Sequence, residues 1–226
     1  GKLWRIPPEQ SREILPWLRR VAAANREHSV FLTGDSRDRI KEFSLPKPHG
    51  AKAFEVVGIP LEAPGLYIVE LESARLGASL FERPNPFFVP AAALVTNLSV
   101  HFKWGPEGSL VWVTTLDSGR PVPQARVTVQ DCHGTIRWTG DTDHQGIARP
   151  EKLPSRWNLP RCEWTSVDHW DYSQNLALRS LGSGLFVVAQ TPDDISFVHT
   201  SWDRGIEPWR FHLPQESWQG PIVTHT

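Results

Sequence analysis

The stretch LVTNLSVHFKW, residues 94–104, decides the fold class of this chain. Its larger apolar side chains, among them Leu98 and Phe102, recur at every second position, while polar ones such as His101 and Lys103 alternate with them. Successive side chains of a β-strand point to opposite faces of the sheet, so this period of two predicts a strand with one buried face.

Strand-like runs separated by turn signals continue towards the C-terminus. GPEG at 105–108 predicts a turn into a strand at 110–113, and DSGRP at 117–121 predicts a turn into a strand at 125–129. Further strands are predicted at 135–139, 184–190, 194–199 and 209–213. Short strands at this spacing are typical of an antiparallel β-sandwich. The intervening segment 150–179 is dense in proline, tryptophan and charge, and we expect it to be a long loop insertion.

The N-terminal region carries the one convincing helix pattern. Ile14, Leu18 and Val21 recur at helical spacing, and a proline at position 16 fits a first turn, so a short helix is predicted from about 16 to 25. The arginines of this helix are predicted to form a solvated basic side rather than an interaction face. They are Arg12, Arg19, Arg20 and Arg26.

Two domains are predicted on either side of a Pro-Ala-Ala-Ala link near residues 91–94. Upstream of the link, strands are predicted at 54–57, 65–71 and 87–89. The predicted division is therefore residues 1–93, a β-domain with a helical addition, and residues 94–226, a β-domain with the loop insertion.

Composition excludes several classes of function. The 226 residues contain 24 Lys and Arg against 25 Asp and Glu, so no positive excess is available to bind a nucleic-acid backbone. No apolar run reaches the length of about 20 residues that a spanning helix requires, and we expect no membrane contact from this segment. Because the chain contains no Met, we expect it to be an internal or processed piece of a longer protein.

The motif search predicts no catalytic residue, no cofactor site and no metal site. The sequence DTDHQG at 141–146 resembles half of a calcium loop, but Lys152 replaces the bidentate glutamate, so a tight turn is favoured. The spacings of zinc, phosphate-loop and serine-hydrolase motifs are missing. His169 with Asp168 is the closest acid–base cluster, and a solvated loop is the favoured interpretation.

The two cysteines, Cys132 and Cys162, leave two alternatives open at this point. In an oxidising compartment a disulfide would close a loop of about thirty residues. In a reducing compartment they would be unrelated thiols.

Eleven tryptophans form two groups. Trp104, Trp112 and Trp138 fall inside strand patterns, where burial is the default. Trp157, Trp164, Trp170, Trp202 and Trp218 fall in predicted loops. Because aromatic side chains often anchor interfaces, Trp202 and Trp218 are the candidate interaction residues.

These runs together resemble the macroglobulin-like β-sandwich modules of bacterial alpha-2-macroglobulins. The resemblance extends from about residue 54 to the end, and its last residues, 222–226, look like the opening of a following module. It is carried by the stretches 94–104, 109–122, 140–146, 193–198 and 205–211, with 64–71 similar to the last strands of a preceding module.

The resemblance implies tandem macroglobulin-like, fibronectin-like or immunoglobulin-like sandwiches within a protease inhibitor of the bacterial envelope. The full-length protein would be exported to the periplasm or cell envelope, with or without a lipid anchor, and an envelope location favours the disulfide between Cys132 and Cys162. Members with a thioester carry Cys-x-Glu-Gln, which the sequences after both cysteines lack. No bait-like linker is evident either.

The leading hypothesis is therefore a non-catalytic scaffold. Its expected partners are neighbouring domains of the same chain, proteases as targets of the full-length protein, and envelope proteins. The alternative is a carbohydrate-binding module that stacks cell-wall sugars on its loop tryptophans.

Overall fold

The computed structural model describes residues 1–32, 34–35, 37–46, 56–105, 107–162, 178 and 180–202. The strands are β1 (Lys2–Ile6), β2 (Lys41–Glu42), β3 (Gly65–Ser73), β4 (Phe87–Val95), β5 (Leu98–Lys103), β6 (Leu110–Thr115), β7 (Arg126–Asp131), β8 (Ile136–Asp141), β9 (Ile147–Ala148), β10 (Leu185–Gln190) and β11 (Ile195–His199). The α-helices are α1 (Ile14–Ala22) and α2 (Ala74–Leu80), and short 3-10 turns occupy Pro8–Glu13, Arg37–Arg39, Arg156–Asn158 and Ser180–Gly182.

The strands form three antiparallel sheets. Sheet A has the order β2-β1-β3-β4, sheet B the order β5-β6-β9, and sheet C the order β11-β10-β7-β8. Sheets B and C bury a common core, and their seven described strands make a sandwich. The prediction of a mainly β, antiparallel sandwich chain with a short N-terminal helix is confirmed.

The helix differs from its predicted bounds and surroundings. It begins at Ile14 and ends at Ala22, where the Ala23 N–H still bonds to Arg19 O at 2.9 Å. The predicted solvated basic side is solvated only in part: Arg12 is exposed, whereas Arg20 lies over the Trp17 ring at 4.3 Å and pairs with Asp35 at 2.8 Å. Arg20 is therefore held by contacts within the chain.

The continuous strand predicted over 94–104 is two strands of different sheets. The break falls at Thr96 and Asn97, where side-chain oxygens accept hydrogen bonds from backbone N–H groups. Thr96 Oγ1 accepts from Leu98 N at 2.9 Å, and Asp194 accepts from Asn97 N at 2.8 Å. Residues 91–94, predicted as a link, lie inside β4 and pair with β3. The division of the chain at residue 94 stays a prediction.

Other predicted elements have mixed outcomes. Helix α2, which connects β3 to β4, was not predicted. The predicted strand at 54–57 is described only for residues 56–57, which are not in a strand, and the predicted strand at 209–213 lies outside the described residues. Among the described helices, none is long and apolar enough to span a membrane.

Two hydrophobic cores meet at sheet C. The sandwich core, between sheets B and C, consists of Leu98, Val111, Val113, Ala125, Val127, Val129, Ala148, Leu185, Val187 and Ala189. The shared core consists of Trp4, Ile6, Ile14, Leu15, Trp17, Leu18, Val21, Val30, Phe31, Leu66 and Ile68 from the N-terminal region, with Leu181, Phe186, Val188 and Ile195 from the C-terminal region. Alternate side chains of β10 enter the two cores, so this strand is buried on both faces.

Candidate functional site

The contact between the N-terminal region and sheet C is the most extensively built feature of the described chain. Helix α1 buries its apolar side in the shared core, where the Trp17 ring meets Trp4 edge-on with centroids 4.7 Å apart and Phe31 at a tilt with centroids 5.5 Å apart. Burying one large apolar side chain contributes about 1.5 to 3 kcal/mol. The contact therefore holds the two regions together as one unit.

A polar clasp fastens α1 to the turn between β7 and β8. Arg19 Nη1 donates a hydrogen bond of 2.6 Å to the carbonyl of Cys132. The turn is closed by Gly134 N, which donates to Asp131 O at 2.9 Å, and Gly134 takes a φ of +80°, which suits glycine. One guanidinium thus links residues that are 113 positions apart in the sequence.

The carboxylate of Asp131 holds this turn from inside. Its Oδ1 accepts from His133 N at 2.9 Å and Thr135 N at 3.1 Å, and its Oδ2 accepts from Arg137 Nε at 3.0 Å and Nη2 at 2.6 Å. The residue is only 1% exposed. A buried carboxylate is tolerated when its oxygens are all paired in this way.

The disulfide candidates meet at the same turn. Cys132 and Cys162 have their Sγ atoms 2.11 Å and their Cα atoms 5.9 Å apart, which is bonded geometry, and both are buried. Cys162 N also donates to Gly182 O at 2.8 Å. These bonds fix Cys162 to the turn after β7 and to the 3-10 turn Ser180–Gly182. The state of the thiols in solution stays a prediction.

Of the two candidate interaction residues, Trp202 lies among the described residues. Trp202 is half-buried against the shared core, its Nε1 donates to Ser180 Oγ at 3.1 Å, and its ring lies 6.3 Å from Phe186. Its role in binding a partner stays a prediction. Trp218 lies outside the described residues.

The tryptophans of the strands correct one sequence prediction. Trp112 was expected in the core but is 41% exposed, because its neighbours Val111 and Val113 point into the sandwich. Its Nε1 donates to Gln145 O at 3.2 Å. Trp104 and Trp138, also expected in the core, pack against it while partly buried.

A hydroxyl–imidazole pair was missed by sequence reasoning. His199, 3% exposed, has Nε2 2.7 Å from Ser183 O and Nδ1 2.7 Å from Ser201 Oγ. A carbonyl only accepts, so Nε2 carries the proton and Nδ1 accepts from the hydroxyl. Burial lowers the pKa of His199 to about 4, against a smaller raising effect of the Ser183 bond. So weak a base activates a hydroxyl poorly at neutral pH.

The segment 141–146 forms the tight turn favoured from its sequence. Asp143 Oδ1 accepts from Ile147 N at 3.0 Å and Gln145 N at 2.8 Å, and these bonds, the first above all, lower the pKa of Asp143. Gly146 has a φ of +73°, and a β-carbon there would collide with Val113 O. His169 and Asp168 lie outside the described residues.

A comparison with known protein families identifies the type of domain. Residues 95–218, more than half of the chain, match the bacterial alpha-2-macroglobulin MG3 domain. Comparison with the curated proteins gives no significant match.

Two solved structures of native alpha-2-macroglobulin from Escherichia coli match most of this chain. One spans domains NIE-MG1, with 12% identity and a TM-score of 0.49, over 88% of this chain and 81% of that chain. The other spans MG0-NIE-MG1, with 12% identity and a TM-score of 0.50, over 88% of this chain and 53% of that chain. At this identity the likeness concerns the fold alone.

The domain type rests on the sequence match, which covers both sheets of the sandwich. Macroglobulin-like domains are non-catalytic modules that act within a longer chain. This chain belongs to the bacterial alpha-2-macroglobulin family, as the sequence resemblance predicted.

Proposed function

We propose that this chain is a scaffold segment of a protease inhibitor of the bacterial envelope. Its task is to hold neighbouring domains of the same protein at a defined spacing and orientation, while proteases are met by the full-length molecule. The shared core supports this proposal, because it packs the N-terminal region directly against the outer face of sheet C.

The clasp between Arg19 and the Cys132 carbonyl offers a test in the full-length protein. Arg19→Ala removes a charged hydrogen bond between the two regions, worth about 1.5 to 3 kcal/mol, and is expected to weaken protease inhibition. Arg120→Ala, in the exposed loop after β6, is the matched control and should leave inhibition unchanged. Equal inhibition by both variants and the wild type would contradict the scaffold role.

The isolated chain is expected to form no covalent adduct with a protease. Neither cysteine lies in Cys-x-Glu-Gln, and both Sγ atoms are joined to each other in the structure. Incubation with several proteases followed by a denaturing gel checks this. A shifted band that survives denaturation would refute the proposal.

One observation favours carbohydrate binding as a second candidate function: Trp157, on the 3-10 turn Arg156–Asn158, is 76% exposed. Exposed aromatic rings can stack on sugars. Pull-down with cell-wall polysaccharide, compared between the wild type and Trp157→Ala, separates this candidate from the scaffold. Retention that needs Trp157 would support it, and no retention would exclude it.

A further inference from the structure

Sheet A has a second apolar face, on the side away from the shared core. Successive side chains of a strand point to opposite faces, and Ile6, Leu66 and Ile68 point into the shared core, so their neighbours point away from it. The pairing of β1, β3 and β4 lines these outward residues up in three rows across the sheet. The outer face of sheet A consists of Leu3, Arg5, Tyr67, Val69, Leu71, Val89, Ala91 and Ala93.

The outer face of sheet A has the composition of a covered surface. An antiparallel sheet with one solvated face normally alternates apolar and polar residues, as β5 does with Ser99, His101 and Lys103 on the side away from the sandwich core. Strands β3 and β4 instead have apolar residues on both sides, over 66–69 and 91–94. The strand β10 shares this pattern and is covered by a core on each face. The pattern therefore predicts a second layer over sheet A.

The chemistry of this face suits an apolar protein surface. Val89 is 37% exposed, and Ala91 beside it is exposed. The charged member of the face, Arg5, donates from Nη2 to Pro64 O at 2.6 Å, and the Tyr67 hydroxyl is bonded to the same loop. Since these polar groups are already paired within the chain, the face offers little to a charged ligand.

The size of the face decides between a separate partner and a tethered one. Three strands about 4.8 Å apart and three rows about 7 Å apart cover about 300 Å². A stable complex of separate proteins buries about 800 Å² on each partner, so this face alone is small for a second copy of the chain. A domain of the same protein needs less contact, because the tether holds it at a high effective concentration.

We propose that the outer face of sheet A packs against an apolar face of a neighbouring domain of the same full-length protein. Sheet A would then be a middle layer, with the shared core on one side and the neighbouring domain on the other. This inference rests on the scaffold role proposed above, and it names the surface through which the next domain is held.

Thiol labelling of introduced cysteines measures whether the face is covered. Ala91→Cys and Leu116→Cys are made in this chain and in the full-length protein, and modification by a maleimide is followed by mass spectrometry of the labelled peptide. Leu116, 59% exposed in the loop after β6, is the matched control. Position 91 should react at least about tenfold more slowly in the full-length protein, the ratio for a face covered about nine-tenths of the time. Position 116 should react at the same rate in both proteins.

Val89→Cys provides a second position on the face, for use if circular dichroism shows that Ala91→Cys disturbs the fold. Equal rates in the two proteins at positions 89 and 91 would overturn the proposal, and so would the same slowing at position 116. Sedimentation of the isolated chain should show a monomer. A dimer in which position 91 is protected would assign the face to a second copy and overturn the proposal.

These measurements contain no protease. A failure of the labelling test is therefore distinguishable from a failure of the scaffold role, which Arg19→Ala tests through protease inhibition.

Discussion

Strands β10 and β8 belong to the same sheet and have opposite surroundings. In β10, Leu185 and Val187 enter the sandwich core while Phe186 and Val188 enter the shared core. In β8, at the edge of sheet C, Ile136 is 48% exposed. Burial of a strand therefore depends mainly on its position in the sheet and on the layer that covers it. The number of β-branched residues in the strand matters less.

The largest expected difference concerns one apolar side chain in each strand. Phe186→Ala empties a fully buried position next to Phe197, with ring centroids 5.2 Å apart, and should lower the free energy of unfolding by about 3 to 5 kcal/mol. Ile136→Ala should change it by no more than about 0.5 kcal/mol. Urea denaturation measures both, and similar losses would break the comparison.

A second contrast compares two carboxylates of the same sheet. Asp131→Ala leaves the partly buried Arg137 and two backbone N–H donors without their carboxylate acceptor. We therefore expect a loss of about 3 to 5 kcal/mol in the free energy of unfolding. Asp141 on the edge strand pairs with Arg126 at 3.2 Å, and both side chains are 56% exposed. Asp141→Ala should cost less than about 1 kcal/mol. Thermal or urea unfolding decides, and an equal cost would contradict the role given to burial.

The third prediction concerns the disulfide beside β7 and its contribution to stability. Titration of the unreduced, unfolded chain should find no reactive thiol, because Cys132 and Cys162 are bonded. Reduction frees a loop with a sequence separation of 30 and should lower the free energy of unfolding by about 3 to 4 kcal/mol. Two reactive thiols per unreduced chain would show that the pairing is wrong.

The smallest expected effect is the loss of stability in acid that is caused by His199, on β11 next to β10. The pKa of His199 is about 4 in the folded chain against an ordinary 6.5, so the unfolded chain binds the proton first. The free energy of unfolding should therefore fall as pH drops from 6.5 to 4, by about 3 kcal/mol.

His144, in the exposed turn after β8, provides the control for the loss of stability in acid. His199→Gln should flatten the pH dependence between 6.5 and 4, whereas His144→Ala should leave it as in the wild type. Equilibrium denaturation at a series of pH values tests this. The same slope in both variants would assign the acid response to other groups.

Local patterns predicted the sandwich strands because period-two alternation depends on one buried face. The run at 185–189 is apolar at every position, and such a run does not show which layers cover its two faces. Helix α2 escaped prediction because seven residues are too few for a helical period, although Ser73 caps it by accepting from Leu76 N at 3.2 Å.

The candidate site was predictable only in part. The family resemblance pointed to a pairing of Cys132 with Cys162, but no local signal joins Arg19 to a turn 113 residues away. The outward orientation of Trp112 was equally hidden, because its strand has apolar residues of both parities. Such contacts depend on tertiary packing rather than on the order of neighbouring residues.

The double burial of β10 has a consequence for hydrogen exchange. Its backbone amides are paired with β7 on one edge and β11 on the other, and two cores cover its faces. Solvent reaches these amides only when β10 separates from β7 or β11 and the cores that cover it open. Their deuterium uptake should therefore report global unfolding, while the outer amides of β8, which have no strand partner among the described residues, exchange through small local fluctuations.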